Sequence, residues 1–117
     1  MILGTGIDIV ELDRFEKVYL KYGNRLLDKI FTPNEIPKYK NKNKFISTLA
    51  GKFAAKEAAS KAFGTGLGKF LNFRDISILN TKNGRPYIKI KTKNEKRLHV
   101  SISHSNRDAI AVVILED

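Results

Sequence analysis

The spacing of apolar positions predicts one long helix in the middle of the chain, from about Lys44 to Phe63. This segment is rich in Ala and Lys, which are strong helix formers. Gly64 follows it, where a left-handed C-terminal cap is expected. At 3.6 residues per turn, the apolar residues in the first half of the helix fall on one stripe. The stripe consists of Ile46, Leu49, Ala50 and Phe53.

A carboxylate continues that stripe. Glu57 lies four residues after Phe53 and therefore on the same side of the helix. A charge on a packed face costs free energy unless a cation or hydrogen-bond donors compensate for it. Lys61, one turn later, can supply part of that compensation. A plain surface pair between Glu57 and Lys61 explains the spacing equally well, so the helix alone does not decide between the two.

The first strand is predicted over residues 2–12 and carries a second carboxylate. Gly4 and Gly6 leave one face without side chains, so that a backbone or a ligand can come close. Asp8 shares this face and is flanked by apolar residues. The alternative for Asp8 is an ordinary cap of the helix that follows.

Short helices and then strands are predicted around the long helix. Helical spacing covers residues 13–22, a further turn covers 25–30, and Thr32, Pro33 and Glu35 form a capping box. Pro37 should keep that third helix short. The last third is β: strands at 75–80 and 85–92 flank the turn signal Asn83-Gly84, and strands at 98–104 and 108–115 form a second hairpin.

The glycine-rich run at residues 64–69 resembles a phosphate-binding loop only superficially. Such a loop follows a strand and opens a helix, whereas this run follows a helix and precedes a strand. We therefore reject a nucleotide-binding fold of that kind.

Composition limits the classes of function. The 117 residues are predicted to form one domain, 1–117, and contain no cysteine, which excludes a disulfide framework or a thiolate site. No apolar run reaches the length of a membrane span, and a signal peptide is not recognisable, so a cytoplasmic protein is expected. The net charge of +10 favours a polyanionic partner.

Three motifs together resemble the holo-[acyl-carrier-protein] synthases, the short bacterial type of 4′-phosphopantetheinyl transferase. They are Gly6-Ile7-Asp8, the run FAAKEAASK at residues 53–61, and SISHS at residues 101–105. Weaker similarities occur at residues 30–32, 63–68 and 83–87. The resemblance covers essentially the whole chain, in the order and at the spacing of that family.

The resemblance implies an activity and an assembly. Members transfer 4′-phosphopantetheine from coenzyme A to a serine of apo-acyl carrier protein, in fatty acid biosynthesis, with Mg²⁺ as cofactor. The other product is adenosine 3′,5′-bisphosphate. The fold implied is the α+β fold of the 4′-phosphopantetheinyl transferases, an antiparallel sheet packed around one long helix. Members of this type are homotrimers with active sites at the subunit interfaces.

The resemblance also implies roles for individual residues. Asp8 and Glu57 would hold the metal, since Mg²⁺ prefers hard oxygen ligands, and Lys61 would contact the phosphates. The general base is a hypothesis: an ordered water, or Glu57 acting through one. Coenzyme A would contact Lys44, Lys52, Lys61, Pro86 and His104, although Lys52 stands where the family commonly has Arg and cannot bind a phosphate in a bidentate manner. The acidic carrier protein would dock on Arg14, Lys21, Arg25 and Lys29.

Two other classes remain as alternatives. The basic charge is also typical of a nucleic-acid-binding module, but that class leaves the two carboxylates on apolar faces unexplained. A non-catalytic trimeric scaffold, in which Asp8 and Glu57 merely pair with Lys61, differs from an enzyme by lacking metal-dependent activity. We expect neither nucleic acid nor a membrane as the partner.

Overall fold

The computed structural model describes residues 1–64, 71–91 and 96–117, and within these ranges three helices and five strands form an α+β fold. In chain order these are β1 (Ile2–Glu11), α1 (Leu12–Tyr22), α2 (Asn24–Ile30), α3 (Lys42–Phe63), β2 (Ile76–Asn80), β3 (Pro86–Ile90), β4 (Arg97–His104) and β5 (Asp108–Glu116). Single 3₁₀ turns lie at Pro33–Glu35 and Phe73–Asp75. The predicted elements are confirmed to within a few residues. The glycine-rich run lies outside the described residues from residue 65 onward.

The strands are antiparallel throughout the described ranges, as predicted. β5 lies between β1 and β4 in a three-stranded sheet, and β2 pairs with β3 in a two-stranded one. The sequence predicted one sheet, whereas the described strands form two, because the β2–β3 hairpin pairs only with itself there. Gly84 has a φ of 84° in the turn of this hairpin, the left-handed conformation that the Asn83-Gly84 signal predicted.

The ends of α3 are capped by local side chains. Asn41 Oδ1 accepts a hydrogen bond from the Lys44 N–H at 2.8 Å, which explains why the helix begins at Lys42 rather than Lys44. Gly64 adopts the left-handed conformation, with φ 76°, and its N–H bonds the carbonyls of Ser60 and Lys61. The predicted C-terminal cap is therefore confirmed.

α3 is buried on more sides than one apolar stripe implies. Its second half carries alanines on several faces, and these small side chains allow close packing all round. Lys52 and Lys56 are buried as well, with exposed fractions of 8% and 0%. The helix is thus the centre of the fold, between α1 and α2 at one end and both sheets at the other. No helix among the described residues is long and apolar enough to span a bilayer.

The backbone of β1 lies directly on α3. A Cβ atom at Gly4 would overlap the carbonyl oxygen of Ala62, and one at Gly6 would overlap that of Ala58. The close approach predicted for this strand face is confirmed, and the approaching group is the helix backbone. Asp8, two residues after Gly6 on the same face, is thereby brought to the surface of the helix.

Candidate active site

A cleft of about 840 Å³ lies where β1, α1, α2 and α3 meet the β4–β5 turn. We call it the carboxylate cleft, because Asp8 and Glu57 both line it. Its polar lining also includes Arg14 and Arg107. Its apolar wall consists of Phe15, Val18, Leu26, Ile30 and Phe53. The two carboxylates that the sequence singled out therefore face the same space from a strand and from a helix.

Asp8 is held by the ammonium group of Lys61. Lys61 Nζ lies 3.2 Å from Asp8 Oδ1 and donates a second hydrogen bond to the Ile7 carbonyl at 2.9 Å. The Lys61 side chain is 53% exposed and that of Asp8 is 19% exposed, so the pair stands at the rim of the protein interior. Asp8 does not cap α1, which begins only at Leu12. The cation one turn after Glu57 thus forms its ion pair across the strand–helix contact.

Burial raises the pKa of Glu57, and the negative charge of Asp8 raises it further, while Lys61 opposes both effects. A partly buried carboxylate beside a second carboxylate is a suitable place for a cation. Within residues 1–64, 71–91 and 96–117, no group of three or more His, Cys, Asp or Glu side chains is placed to hold a metal. Two carboxylates fit Mg²⁺, which commonly takes one or two of them and completes its shell with phosphate oxygens and water.

A second cleft, of about 620 Å³, lies between α1, the start of α3 and the β4–β5 turn. We call it the His104 cleft. Lys44, Ser47 and His104 line it, and Asp13 lines both clefts, so the two adjoin. His104 Nε2 lies 2.8 Å from the Ser47 carbonyl oxygen. The imidazole passes so close to α3 that a Cβ atom at Gly51 would lie 2.7 Å from Nε2.

The residues predicted to bind coenzyme A are divided by the structure. Lys44 and His104 come together in the His104 cleft, although they are 60 positions apart in the chain. Lys52 and Pro86 line neither cleft. Lys52 Nζ points inward and donates to the Glu35 carbonyl at 2.6 Å, and burial lowers the pKa of this lysine. Pro86 begins β3, opposite Asn80.

The four residues predicted to dock the carrier protein are all exposed on α1 and α2. Arg14 lines the carboxylate cleft, and Lys21 lies with its ammonium 5.3 Å from the centre of the Tyr22 ring. Arg25 and Lys29 extend the basic surface along α2. Of these four residues, the structure therefore places Arg14 next to the two carboxylates.

Two sets of residues were not predicted from the sequence. Lys56 and Glu35 form an ion pair of 2.7 Å in which neither side chain is exposed. The signal that could have found it is a lysine set among alanines on a helix packed on all sides. Arg107, in the β4–β5 turn, lines the carboxylate cleft opposite Arg14, and no motif in the sequence marks it.

Comparison with known proteins decides the family. The model of the 4′-phosphopantetheinyl transferase superfamily matches residues 4–114. The chain belongs to this superfamily. A holo-[acyl-carrier-protein] synthase from Oceanobacillus iheyensis is 46% identical to it over 118 residues, covering 99% of this chain and 98% of the relative. The resemblance drawn from the three motifs is confirmed.

Solved structures of phosphopantetheinyl transferases have the same fold. A holo-(acyl-carrier-protein) synthase from Bacillus anthracis, in complex with CoA (3′,5′-ADP), superposes with a TM-score of 0.90 at 44% identity, covering 100% of this chain and 98% of that one. The synthase from Helicobacter pylori, in complex with coenzyme A, gives 0.87 at 39% identity, covering 96% and 99%. The fold that carries Asp8, Glu57 and Lys61 is thus one that binds coenzyme A in these relatives.

Proposed function

We propose that this protein transfers the 4′-phosphopantetheine group of coenzyme A to a serine of apo-acyl carrier protein. The products are holo-acyl carrier protein and adenosine 3′,5′-bisphosphate. The observation that carries the proposal is the meeting of Asp8 and Glu57 in one cleft, with Lys61 paired to Asp8, in a chain 46% identical to a holo-[acyl-carrier-protein] synthase over nearly its whole length. A role in fatty acid biosynthesis, a cytoplasmic location and a single domain over 1–117 are further parts of the proposal.

Asp8 and Glu57 are the residues that would hold Mg²⁺. When bound, the ion neutralises charge on the diphosphate of coenzyme A. The raised pKa of Glu57 supports this assignment, because burial and then the charge of Asp8 disfavour the ionised carboxylate, and a bound cation would provide compensation. The Lys61 ammonium, more than half exposed, supplies only part of that compensation.

The chain's own groups then act on the reacting atoms. The serine hydroxyl attacks the phosphorus next to the pantetheine arm, and the bond from that phosphorus to the bridging oxygen breaks. Lys61 stabilises the negative charge that gathers on the phosphate oxygens. Glu57 takes the serine proton through a water molecule. The departing bisphosphate keeps the bridging oxygen.

Coenzyme A would bind across the two adjoining clefts. Lys44 and His104 would contact its nucleotide end in the His104 cleft, whereas Lys61 would contact the diphosphate in the carboxylate cleft. Lys52 and Pro86 remain predictions. The position of Pro86 outside both clefts is compatible with a site to which a neighbouring subunit contributes, whereas the buried Lys52 ammonium would first have to leave the Glu35 carbonyl.

A homotrimer is part of the proposal, and the exposed face of the three-stranded sheet supports it. Ile7 and Ile9 on β1 are 58% and 62% exposed, and their cross-strand partners Val112 and Ile110 are each 37% exposed. A continuous apolar face of this kind on a sheet edge marks an interaction surface. A second and a third copy of the chain are the occupants that we propose. Light scattering should then give about 40 kDa, three times the chain mass of 13.2 kDa, and Ile9→Lys should give the mass of one chain.

The experiment that tests the function is a transfer assay. Purified protein is incubated with coenzyme A and apo-acyl carrier protein, with Mg²⁺ or with a chelator, and the intact mass of the carrier protein is measured. We expect a Mg²⁺-dependent gain of one phosphopantetheine group, and its loss in Asp8→Ala and Glu57→Ala. No gain with several acidic carrier proteins would overturn the proposal, and the net charge of +10 would then direct the search to nucleic acid, tested by salt dependence.

A further inference from the structure

A second lysine–carboxylate pair lies five residues before Lys61 on the same helix, and the proposed chemistry does not use it. Lys56 Nζ is 2.7 Å from Glu35 Oε1, and both side chains are completely buried. Burying two charges is expensive unless every hydrogen-bonding position on both groups is satisfied. The arrangement around this pair should therefore be specific, and its contacts indicate what it holds.

Each donor of the Lys56 ammonium binds a different segment of the chain. Besides Glu35 it donates to the Ile30 carbonyl at 2.7 Å and to the Phe73 carbonyl at 2.8 Å. Ile30 is the last residue of α2, Glu35 ends the first 3₁₀ turn, and Phe73 begins the second. An ammonium group has three donors, so Lys56 uses all of them to join three segments to α3.

The Glu35 carboxylate extends the same network on its other side. Its Oε1 accepts hydrogen bonds from the N–H and the hydroxyl of Thr32, and its Oε2 accepts one from the Ile78 N–H on β2 at 2.9 Å. Lys52 Nζ donates to the Glu35 carbonyl. A buried polar network with all its members satisfied specifies a single arrangement of the segments that it connects.

The segments held by Lys56 form part of the carboxylate cleft. The side chains of Ile30 and Phe53 belong to its apolar wall. The Phe73 ring stacks on Phe53 with centroids 5.6 Å apart, so Phe73 packs against this wall. Lys56 itself is the neighbour of Glu57 in the chain. The buried pair therefore fixes α2 and the apolar wall relative to the turn of α3 that carries Glu57.

We propose that Lys56 and Glu35 are positioning residues for the carrier protein. By anchoring the end of α2, they set the place of Arg25 and Lys29 and of the apolar wall relative to the reacting groups. The inference rests on the proposed function. Coenzyme A is expected to depend on the pair much less, because Lys44 and His104 lie in the other cleft and make none of these bonds. Lys52 does belong to the network through the Glu35 carbonyl, but its ammonium is buried there and lines neither cleft.

The test compares Lys56→Met with a core variant of similar cost. Methionine keeps the length of the side chain and removes the ammonium group. Ile76→Ala truncates a fully buried residue of β2 that makes no bond to the pair and serves as the matched control. For each variant, three quantities are measured: KM for the carrier protein with kcat, the Kd of coenzyme A, and amide hydrogen exchange along α2.

For Lys56→Met we expect KM for the carrier protein to rise about tenfold and the Kd of coenzyme A to change less than about twofold. The α2 amides should exchange faster. Ile76→Ala should lower the melting temperature while leaving KM and α2 exchange unchanged. Should Lys56→Met not fold, Glu35→Gln carries the same expectations, because it removes the negative charge and keeps the shape.

The inference would be overturned if KM for the carrier protein were the same in Lys56→Met as in the control Ile76→Ala. The same holds for Glu35→Gln, because in either case the pair would be structural only. A parallel loss of coenzyme A affinity would overturn it as well, since the effect would not be specific to the carrier protein. Absence of transfer by the unaltered protein would overturn the proposed function, and this inference with it. A transferring protein with an insensitive KM refutes the inference alone.

Discussion

Two lysine–carboxylate pairs have their lysines five residues apart on α3. Both join an ammonium group to a carboxylate, but they differ in burial and in their other hydrogen bonds. Lys56 and Glu35 are 2.7 Å apart and fully buried, with each ammonium donor bound within the fold. Lys61 and Asp8 are 3.2 Å apart, and their side chains are 53% and 19% exposed. The first pair leaves no position for an added ligand. The second is open to the cleft.

The difference shows that α3 carries a structural ion pair and, one turn later, an ion pair that is available for the reaction. The buried pair has a satisfied network and no solvent, so its charges cannot turn to a new partner without leaving others unpaired. The open pair is in contact with water, which makes exchange of partners inexpensive. The same residue types therefore serve the framework in one turn of α3 and the chemistry in the next.

The largest effect is expected from breaking the buried pair. Lys56→Met leaves the Glu35 carboxylate in the interior without its cation, which should cost about 3–5 kcal/mol of unfolding free energy. Urea denaturation measures this loss. A loss below about 1 kcal/mol would mean that the pair behaves like a surface pair and that the contrast between the two turns is false.

Breaking the pair of Lys61 and Asp8 should lower activity strongly and stability only slightly. Lys61→Met should lower kcat/KM about 100-fold, the scale of losing one charge-stabilising donor, and change the unfolding free energy by less than about 1 kcal/mol. Lys42→Met is the matched control, because Lys42 is a half-exposed lysine of α3 paired with Glu16 at 2.9 Å. It should affect neither quantity. A stable Lys61→Met protein with full activity would remove Lys61 from the mechanism.

The distance between β1 and α3 can be altered without touching a charge. Gly6→Ala would place a methyl group against the Ala58 carbonyl, so the strand must move and carry Asp8 with it. We expect a loss of about 1–3 kcal/mol in stability, accompanied by a loss of activity. Thr5→Ala, whose side chain is on the opposite face of the strand, provides the comparison. Unchanged activity in Gly6→Ala would show that the position of Asp8 tolerates a shift of the strand.

The smallest effect concerns pH. The pKa of Glu57 is raised by burial and by Asp8, so the folded protein binds this proton more tightly than the unfolded chain does. Stability from this group is therefore present below the unfolded pKa and is lost as pH rises through the folded one. Without added metal, Glu57→Gln should raise the melting temperature by a few degrees at about pH 8 and leave it unchanged at about pH 3, below both pKa values.

The exposed carboxylate of Asp28 on α2 sets the baseline for that measurement, because Asp28→Asn removes a charge outside the cleft. A Glu57→Gln curve parallel to the Asp28→Asn curve at every pH would mean that neither burial nor Asp8 raises the pKa of Glu57 in the folded protein.

Elements that depend on local signals could be predicted well from the sequence. Three signals act within a few residues, and the structure confirms all of them: the period of apolar residues, Gly64 after the last turn of α3, and Asn83-Gly84 in the hairpin. Asp8 and Glu57 were found because a carboxylate on an apolar face is unusual within its own element. Their meeting in one cleft required the two-glycine contact between β1 and α3, which the strand pattern indicated without naming the partner.

The buried pair could not be predicted in the same way. Glu35 was identified as a capping residue, which is correct, but its second role depends on a lysine 21 positions later. Lysine is ordinarily exposed, and two of the three acceptors of Lys56 are backbone carbonyls, which leave no trace in the sequence. The inward direction of Lys52 has the same origin, since its acceptor is also a carbonyl.

The pairing of β1 with β5 has a consequence for the time at which the protein becomes competent during synthesis. Ile2 lies opposite Glu116 and Asp8 opposite Ala111, so β1 pairs with a strand that is synthesised about 100 residues after it. Among the described strands, β5 is the hydrogen-bonding neighbour of β1. Asp8 therefore reaches its working position only after residues 108–116 have left the ribosome, and a nascent chain shorter than this should be unable to modify a carrier protein.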